Sequence, residues 1–401
     1  MGALLKQAIS DRGGVFRPEE MPEFLHSLWK QSDIDNSQTV KYHYYDKSRR
    51  IGLHIAKSTK INAVALTDLQ ELPENRDHMI INIGLPAIYK AVMDGILADT
   101  RNFVSVGNRA NDHESPVKWK SLSDLESIVK QPRSESGCQI RRYLASLLTR
   151  LVFQYSVHHE QGHIVRGHTE FVMSGGLSAN PEIDESESGG DPACTLIVGE
   201  EEAVRSQKNL RALAWQALER DADLWGVTMT LWVNLRISES ILNEHAGLDP
   251  ALFAAKREVF GSPEKVLFYV SYALYVAHRI FNPRRWNLYK QVVSDPDCGN
   301  KHPHALFRLE SVYDILVGNI VNSKLYPELK GANFVDIILS AIAQADRACH
   351  MLTQSTDRPT GLEIFSGEGT EGFLLYRRML VESFEALVPK LRPFVKAGVF
   401  P

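Results

Sequence analysis

The chain has no two cysteines close enough for a CxxC motif. Its only four, Cys138, Cys194, Cys298 and Cys349, are scattered along the sequence. That spacing argues against a cysteine zinc site and a disulfide framework, and it points to free thiols in a reducing cytoplasm. A basic excess is also missing. With a formal net charge of −4 there is no surplus of cations to neutralise phosphates, so a nucleic-acid partner is not expected. Long apolar runs are missing as well. The stretch closest to one, "VLFYVSYALYVA" at 266–277, would make about 18 Å of helix against a hydrocarbon core of ~30 Å. It follows "SPEK", a serine cap with Pro263 and Glu264 in the first turn, which predicts a buried helix of a soluble protein without a membrane span. The opening "MGALLKQAISDRGG" holds no apolar run fit for a signal peptide. Lys6 stands where myristoylation wants Ser or Thr, and "AGVFP" offers no prenylation cysteine.

What is present is the composition of a soluble globular protein: 401 residues, 44% hydrophobic and 23% charged, long enough to bury a substantial core. No internal repeat is visible. Residues 1–35 read as an amphipathic helical lead-in. β-Branched and aromatic residues in "TVKYHYYD" (39–46), "RIGLHIAKSTKINAVALTD" (50–68) and "HMIINIGL" (78–85) predict a small sheet over about 39–85. "PAIYKAVMDGILADT" then has helical spacing, with Pro86 in its opening turn. Residues 100–137 are polar and interrupted, an insertion with a short helix near "SLSDLESIVK". A long helix is predicted from 138 to 166, because Ile140, Leu144, Leu147, Leu148, Leu151, Val152 and Tyr155 follow i, i+3, i+4 spacing. The most loop-like segment, "MSGGLSANPEIDESESGGDPAC" at 173–194, follows. Helical periodicity resumes near 200, with another loop at 353–372. The expectation is a mostly helical α+β fold: one domain over 1–352, with its working helices at 138–310, and a loop and helix at 353–401 packed on it.

The long helix ends in "HHEQGHIVRGH" (158–168). Within it His159-Glu160-Gln161-Gly162-His163 is an HExxH pattern. Histidines four apart project from one helix face, so both can reach one Zn²⁺, and the intervening glutamate faces the metal's open position. Stepping back in fours from His163 gives His159, Tyr155, Leu151 and Leu147, so the histidines continue the core face. The competing reading is an exposed helix end, with Arg166 and His168 complementing the helix dipole. A third ligand is needed. Arg166 and Thr169 occupy the positions where the metzincin pattern requires Gly and His, which excludes that subtype. "QALERDADLWG" supplies an ExxxD pair instead: Glu219 as ligand, and Asp223 to accept a hydrogen bond from a ligating histidine. The pair could otherwise be a charged helix face meeting Arg220 or Arg211.

HExxHxxxGH followed by ExxAD resembles the gluzincin metallopeptidases of the CAAX-prenyl-protease and heat-shock-protease HtpX type. "INAVALTD" with "IINIGL" is similar to that family's Asn-Ala strand, next strand and Gly-Leu turn, and "HPHALFRL" (302–309) to its downstream His-Pro…Arg motif. The elements fall in the family order across roughly residues 60–310. The resemblance implies one Zn²⁺ per chain held by His159, His163 and Glu219, with Glu160 as general base. It also implies a transition-state role for His302 and a supporting role for Arg308 near the metal. The membrane-bound members carry transmembrane helices that this sequence lacks. Among soluble relatives, the phage-exclusion peptidases of the Lit type are the nearest in kind.

The expected activity is that of a zinc-dependent endopeptidase acting on a protein or peptide substrate. Glu160 would assist attack by a zinc-bound water on the scissile carbonyl. The strand carrying Asn62 and Ala63 would bind an extended substrate by sheet addition, and the 173–199 loop would act as a lid. Two alternatives stand beside this: a zinc-stapled interaction protein without catalysis, and a latent protease effector released by a partner.

Overall fold

In the computed structural model, residues 2–108, 119, 128, 135–177, 183–184, 207–241, 249–281, 305–322, 329, 333–352 and 370–396 are described. The architecture is α+β and mostly helical. Helix α1 (Ala3–Asp11) and α2 (Glu23–His43) precede strands β1 (Ile51–Ala56), β2 (Ala63–Thr67) and β3 (Asp77–Asn82). Helices α3 (Gly84–Ala98), α4 (Gln139–Val165) and α5 (His168–Met173) follow, then the short β4 (Ile183–Asp184). The remainder is helical: α6 (Gln207–Ile241), α7 (Pro250–Phe260), α8 (Pro263–Phe281), α9 (Ala305–Asn322), α10 (Phe334–Met351) and α11 (Thr370–Leu391).

The sheet runs β1-β3-β2-β4. β3 is central, parallel to β1 and antiparallel to β2. Alternation along β2 explains its burial on both sides. Ala63 and Ala65 join the main core with α4, whereas Val64 and Leu66 meet Leu5, Ala8 and Ile9 of α1. The sheet is shorter than expected. "TVKYH" is the last turn of α2, because its buried positions continue a helical series: Leu25, Leu28, Ser32, Asp35, Asn36, Thr39 and Val40. β-Branched content at 39–46 misled because that burial series, not propensity, decides the segment.

Helix α4 runs through the centre of the molecule. Every residue from Leu151 to Val165 is buried, polar ones included. Several of those polar groups are paired across the core: Gln154 donates to Asp35 at 3.1 Å, Tyr89 and Ser156 pair at 2.8 Å, and Gln161 donates to Asn36 at 3.0 Å. Gly167, at φ 80°, ends the helix and turns the chain into α5. The "VLFYVSYALYVA" stretch lies in α8 and is buried almost throughout. No helix among the described residues is long and apolar enough to cross a membrane.

Lys396, beyond α11, closes the domain. It pairs with buried Asp77 at the start of β3, and its backbone N–H donates to Val165 O at 2.9 Å at the end of α4.

Candidate metal centre

Two helices build the site, and two glycines set how closely they approach. A Cβ added at Gly162 of α4 would lie 3.0 Å from Cα and O of Ala222, and one at Gly226 of α6 would lie 3.2 Å from N and Cα of His159. The backbones of α4 and α6 thus touch where their functional side chains project. His159 and His163 come from α4 and Glu219 from α6, all with at most 1% exposure. Such burial rules out the exposed helix end as the account of these histidines.

One donor atom from each of the three lies within 4.8 Å of the others. The Nε2 atoms of His159 and His163 are 3.2 Å apart, and Glu219 oxygens sit 3.4 Å and 3.3 Å from them respectively. Two imidazole nitrogens and a carboxylate converging this closely repel one another unless a cation or a proton lies between them.

The groups behind the trio decide which nitrogens face it. Asp223 Oδ1 lies 2.9 Å from His159 Nδ1, which puts the proton on Nδ1 and leaves the Nε2 lone pair toward Glu219. Asp223 is itself held by Arg308, whose Nε and Nη2 donate to its two oxygens at 3.1 and 2.8 Å, and by the Tyr155 hydroxyl at 2.8 Å. On the other side, His168 Nε2 lies 3.1 Å from Asp221 Oδ2, and His168 Nδ1 lies 3.1 Å from His163 Nδ1. His168 donates to Asp221 and accepts from His163, so the His163 Nε2 lone pair also faces the trio. Arg166 donates to Asp221 at 2.7 Å and anchors this second chain of contacts.

Electrostatics follow from this wiring. Burial works against a charge on His159, but Asp223 and Glu219 outweigh it and raise its pKa well above the usual imidazole value. Burial pushes His163 down to about 4 despite Glu219, so that ring is neutral. Burial would raise Asp221, yet His168 and Arg166 bring it down to about 2. Asp223 is likewise lowered, against its burial, by Arg308 and His159. A metal at the trio therefore competes with the proton that His159 otherwise carries. Two imidazole nitrogens and one carboxylate are a donor set of the kind that could hold a divalent cation such as zinc. The three residues fit the ion.

Glu160, next to the first histidine, is buried with 1% exposure. Arg308, from the "HPHALFRL" stretch, reaches the site as just described. His302 lies outside the described residues, as does most of the 173–199 segment. Asn62 precedes β2, where its backbone O accepts from Asn82 N–H at 3.0 Å, and Ala63 pairs with Ile81 of β3. The outer edge of β2 is taken by β4, with Val64 opposite Asp184 and Ala65 opposite Ile183.

Sequence reasoning missed several partners. The sequence offers His168 only as a dipole-complementing residue of an exposed helix end, and it marks Asp221 with no role. His278 of α8 went unremarked; its Nε2 is 3.1 Å from the Tyr155 hydroxyl, and burial and Arg308 hold it neutral at about 3. The glycines at 162 and 226 were a usable signal, because each lies on the ligand-bearing stretch of a helix, where glycine is unfavourable without a packing reason.

No family model, curated protein or solved structure matches the chain.

Proposed function

We propose that the protein is a zinc-dependent endopeptidase. The observation that carries this is the convergence of His159 Nε2, His163 Nε2 and a Glu219 carboxylate, with both Nδ1 atoms committed to partners that turn the lone pairs inward. Zinc, when bound there, supplies Lewis acidity that polarises the scissile carbonyl and makes water acidic near neutral pH. The chain's own residues do the rest. Glu160 takes the proton of the attacking water and returns it to the departing amine. Asp223, clamped by Arg308 and Tyr155, holds His159 in one tautomer, and Asp221 does the same for His163 through His168. Glu160 favours catalysis over a metal that merely staples helices, because a structural site has no use for a general base beside its first ligand.

The β4 pairing favours a latent form of the same enzyme. A substrate adding to β2 as a strand would meet Ile183 and Asp184 already in place along that edge.

Metal analysis of the purified chain is the test. About one zinc per chain is expected, lost in Glu219→Gln. A chain that holds no zinc and takes none up on reconstitution contradicts the reading.

A further inference from the structure

Gln154 and Gln161 stand two turns apart on α4 and so share one side of it. Each bridges α6 to α2. Gln161 accepts from Trp225 Nε1 of α6 at 3.0 Å and donates to Asn36 Oδ1 of α2 at 3.0 Å. Gln154 accepts from Asn234 Nδ2 of α6 at 2.8 Å and donates to Asp35 Oδ2 of α2 at 3.1 Å. All of these residues are buried, Gln161 completely. The direction of each bridge is fixed. An indole N–H can only donate, so Gln161 must turn its oxygen to α6 and its amide nitrogen to α2. Asn234 Nδ2 also donates to the backbone O of Thr230 at 2.7 Å, which sets Gln154 the same way.

At about 100° per residue, Gln161 lies about 160° round the helix from both His159 and His163. The bridges therefore grip α4 from the side opposite the ligands, where they resist rotation about its axis. Apolar contacts are non-directional, whereas a hydrogen bond weakens steeply when its angle is lost. A roll of about 10° carries an imidazole nitrogen ~6 Å from the axis through ~1 Å, well beyond the ~0.2 Å within which metal–ligand distances are held. Trp225 also adjoins Gly226, which meets the backbone of His159, so the Gln161 bridge ties the two helices where they touch.

We infer that Gln161, supported by Gln154, is a positioning residue of the metal centre: the paired bridges set the rotation of α4 that aims His159 and His163 at Glu219. This role rests on the metal centre proposed above. It is distinct from the roles of Asp223 and His168, which orient the rings and not the helix.

Zinc affinity by dye competition and the d–d absorption of the cobalt(II)-loaded chain test it, in the parent and in Gln161→Met, Trp225→Phe and Ile342→Ala. Gln161→Met keeps the side chain's length without its hydrogen bonds, and Trp225→Phe keeps an aromatic ring without the N–H. Ile342→Ala truncates a buried core residue on α10 and belongs to neither bridge. Gln161→Met is expected to lose at least tenfold in zinc affinity and to shift the cobalt bands, and Trp225→Phe to lose severalfold. Ile342→Ala is expected to keep the parent's affinity and spectrum at a lowered Tm. Should Gln161→Met fail to fold, the loss in Trp225→Phe decides. A folded Gln161→Met with the parent's affinity and spectrum overturns the inference alone, as does an equal loss in Ile342→Ala. A parent chain that takes up neither ion overturns the metal centre and this role with it.

Discussion

His163 Nδ1 lies 3.1 Å from His168 Nδ1, inside a helix-turn-helix corner where both rings are fully buried. With Asp221 accepting from the far nitrogen of His168, the pair forms a relay that orients the His163 ring from behind. His168→Ala should therefore weaken zinc binding by about 10- to 100-fold while leaving all three ligands in place. Competition with a zinc-binding dye measures this; unchanged affinity removes His168 from the site. Asp221→Asn should fall between the two proteins.

Arg308 is the corresponding support on the other side. Its removal leaves Asp223 buried without its bidentate partner, so Arg308→Ala should cost about 3 kcal/mol in the stability of the metal-free chain. Arg308→Lys should recover little of that, because an ammonium cannot span both carboxylate oxygens. Denaturant unfolding reads both, and full recovery by lysine would mean that only the charge matters.

The close approach of α4 and α6 makes its own prediction. Gly162→Ala forces a methyl against the backbone of Ala222 at 3.0 Å, so it should cost about 1–3 kcal/mol and loosen the ligand geometry. A variant as stable as the parent would show that the helices part easily, and that the glycine is not what brings Glu219 to the histidines.

Much of this was legible in the chain's one-dimensional pattern. The 27-residue helix α4 and its ligand face were visible because apolar spacing and histidine spacing share one period. Glu219 and Asp223 were visible because they too are four apart on a helix. His168 and Asp221 were hidden, since a residue just past a helix-ending glycine reads as a cap or surface group. Only the turn at Gly167 folds His168 back beneath His163. His278 was hidden for a different reason: it is a long-range partner on an apolar helix, where spacing carries no information about what lies opposite. The end of α2 was misread because its buried positions include Ser32, Asp35, Asn36 and Thr39, which no hydrophobicity pattern marks as core.

A pH dependence is expected from Glu310 on α9. Burial, with Asp314 nearby, pushes its carboxyl up from the ordinary 4.5 to about 8. A raised folded-state value stabilises the fold fully below the unfolded value, near 4.5, and that contribution is lost as pH rises through about 8. Glu310→Gln is neutral throughout, so its Tm relative to the parent should rise between pH 5 and pH 9. A constant difference across that range would place the Glu310 carboxyl near its ordinary value.

Glu160 is proposed as the base of a peptidase whose ligands lie on α4 and α6, and a comparison of new protein N-termini in cells expressing the parent chain or Glu160→Gln tests that role. New N-termini are expected with the parent and none with the variant, while purified Glu160→Gln keeps its zinc and its Tm. The same new N-termini with both chains, or none with either although zinc is bound and any partner needed for release is present, would contradict it.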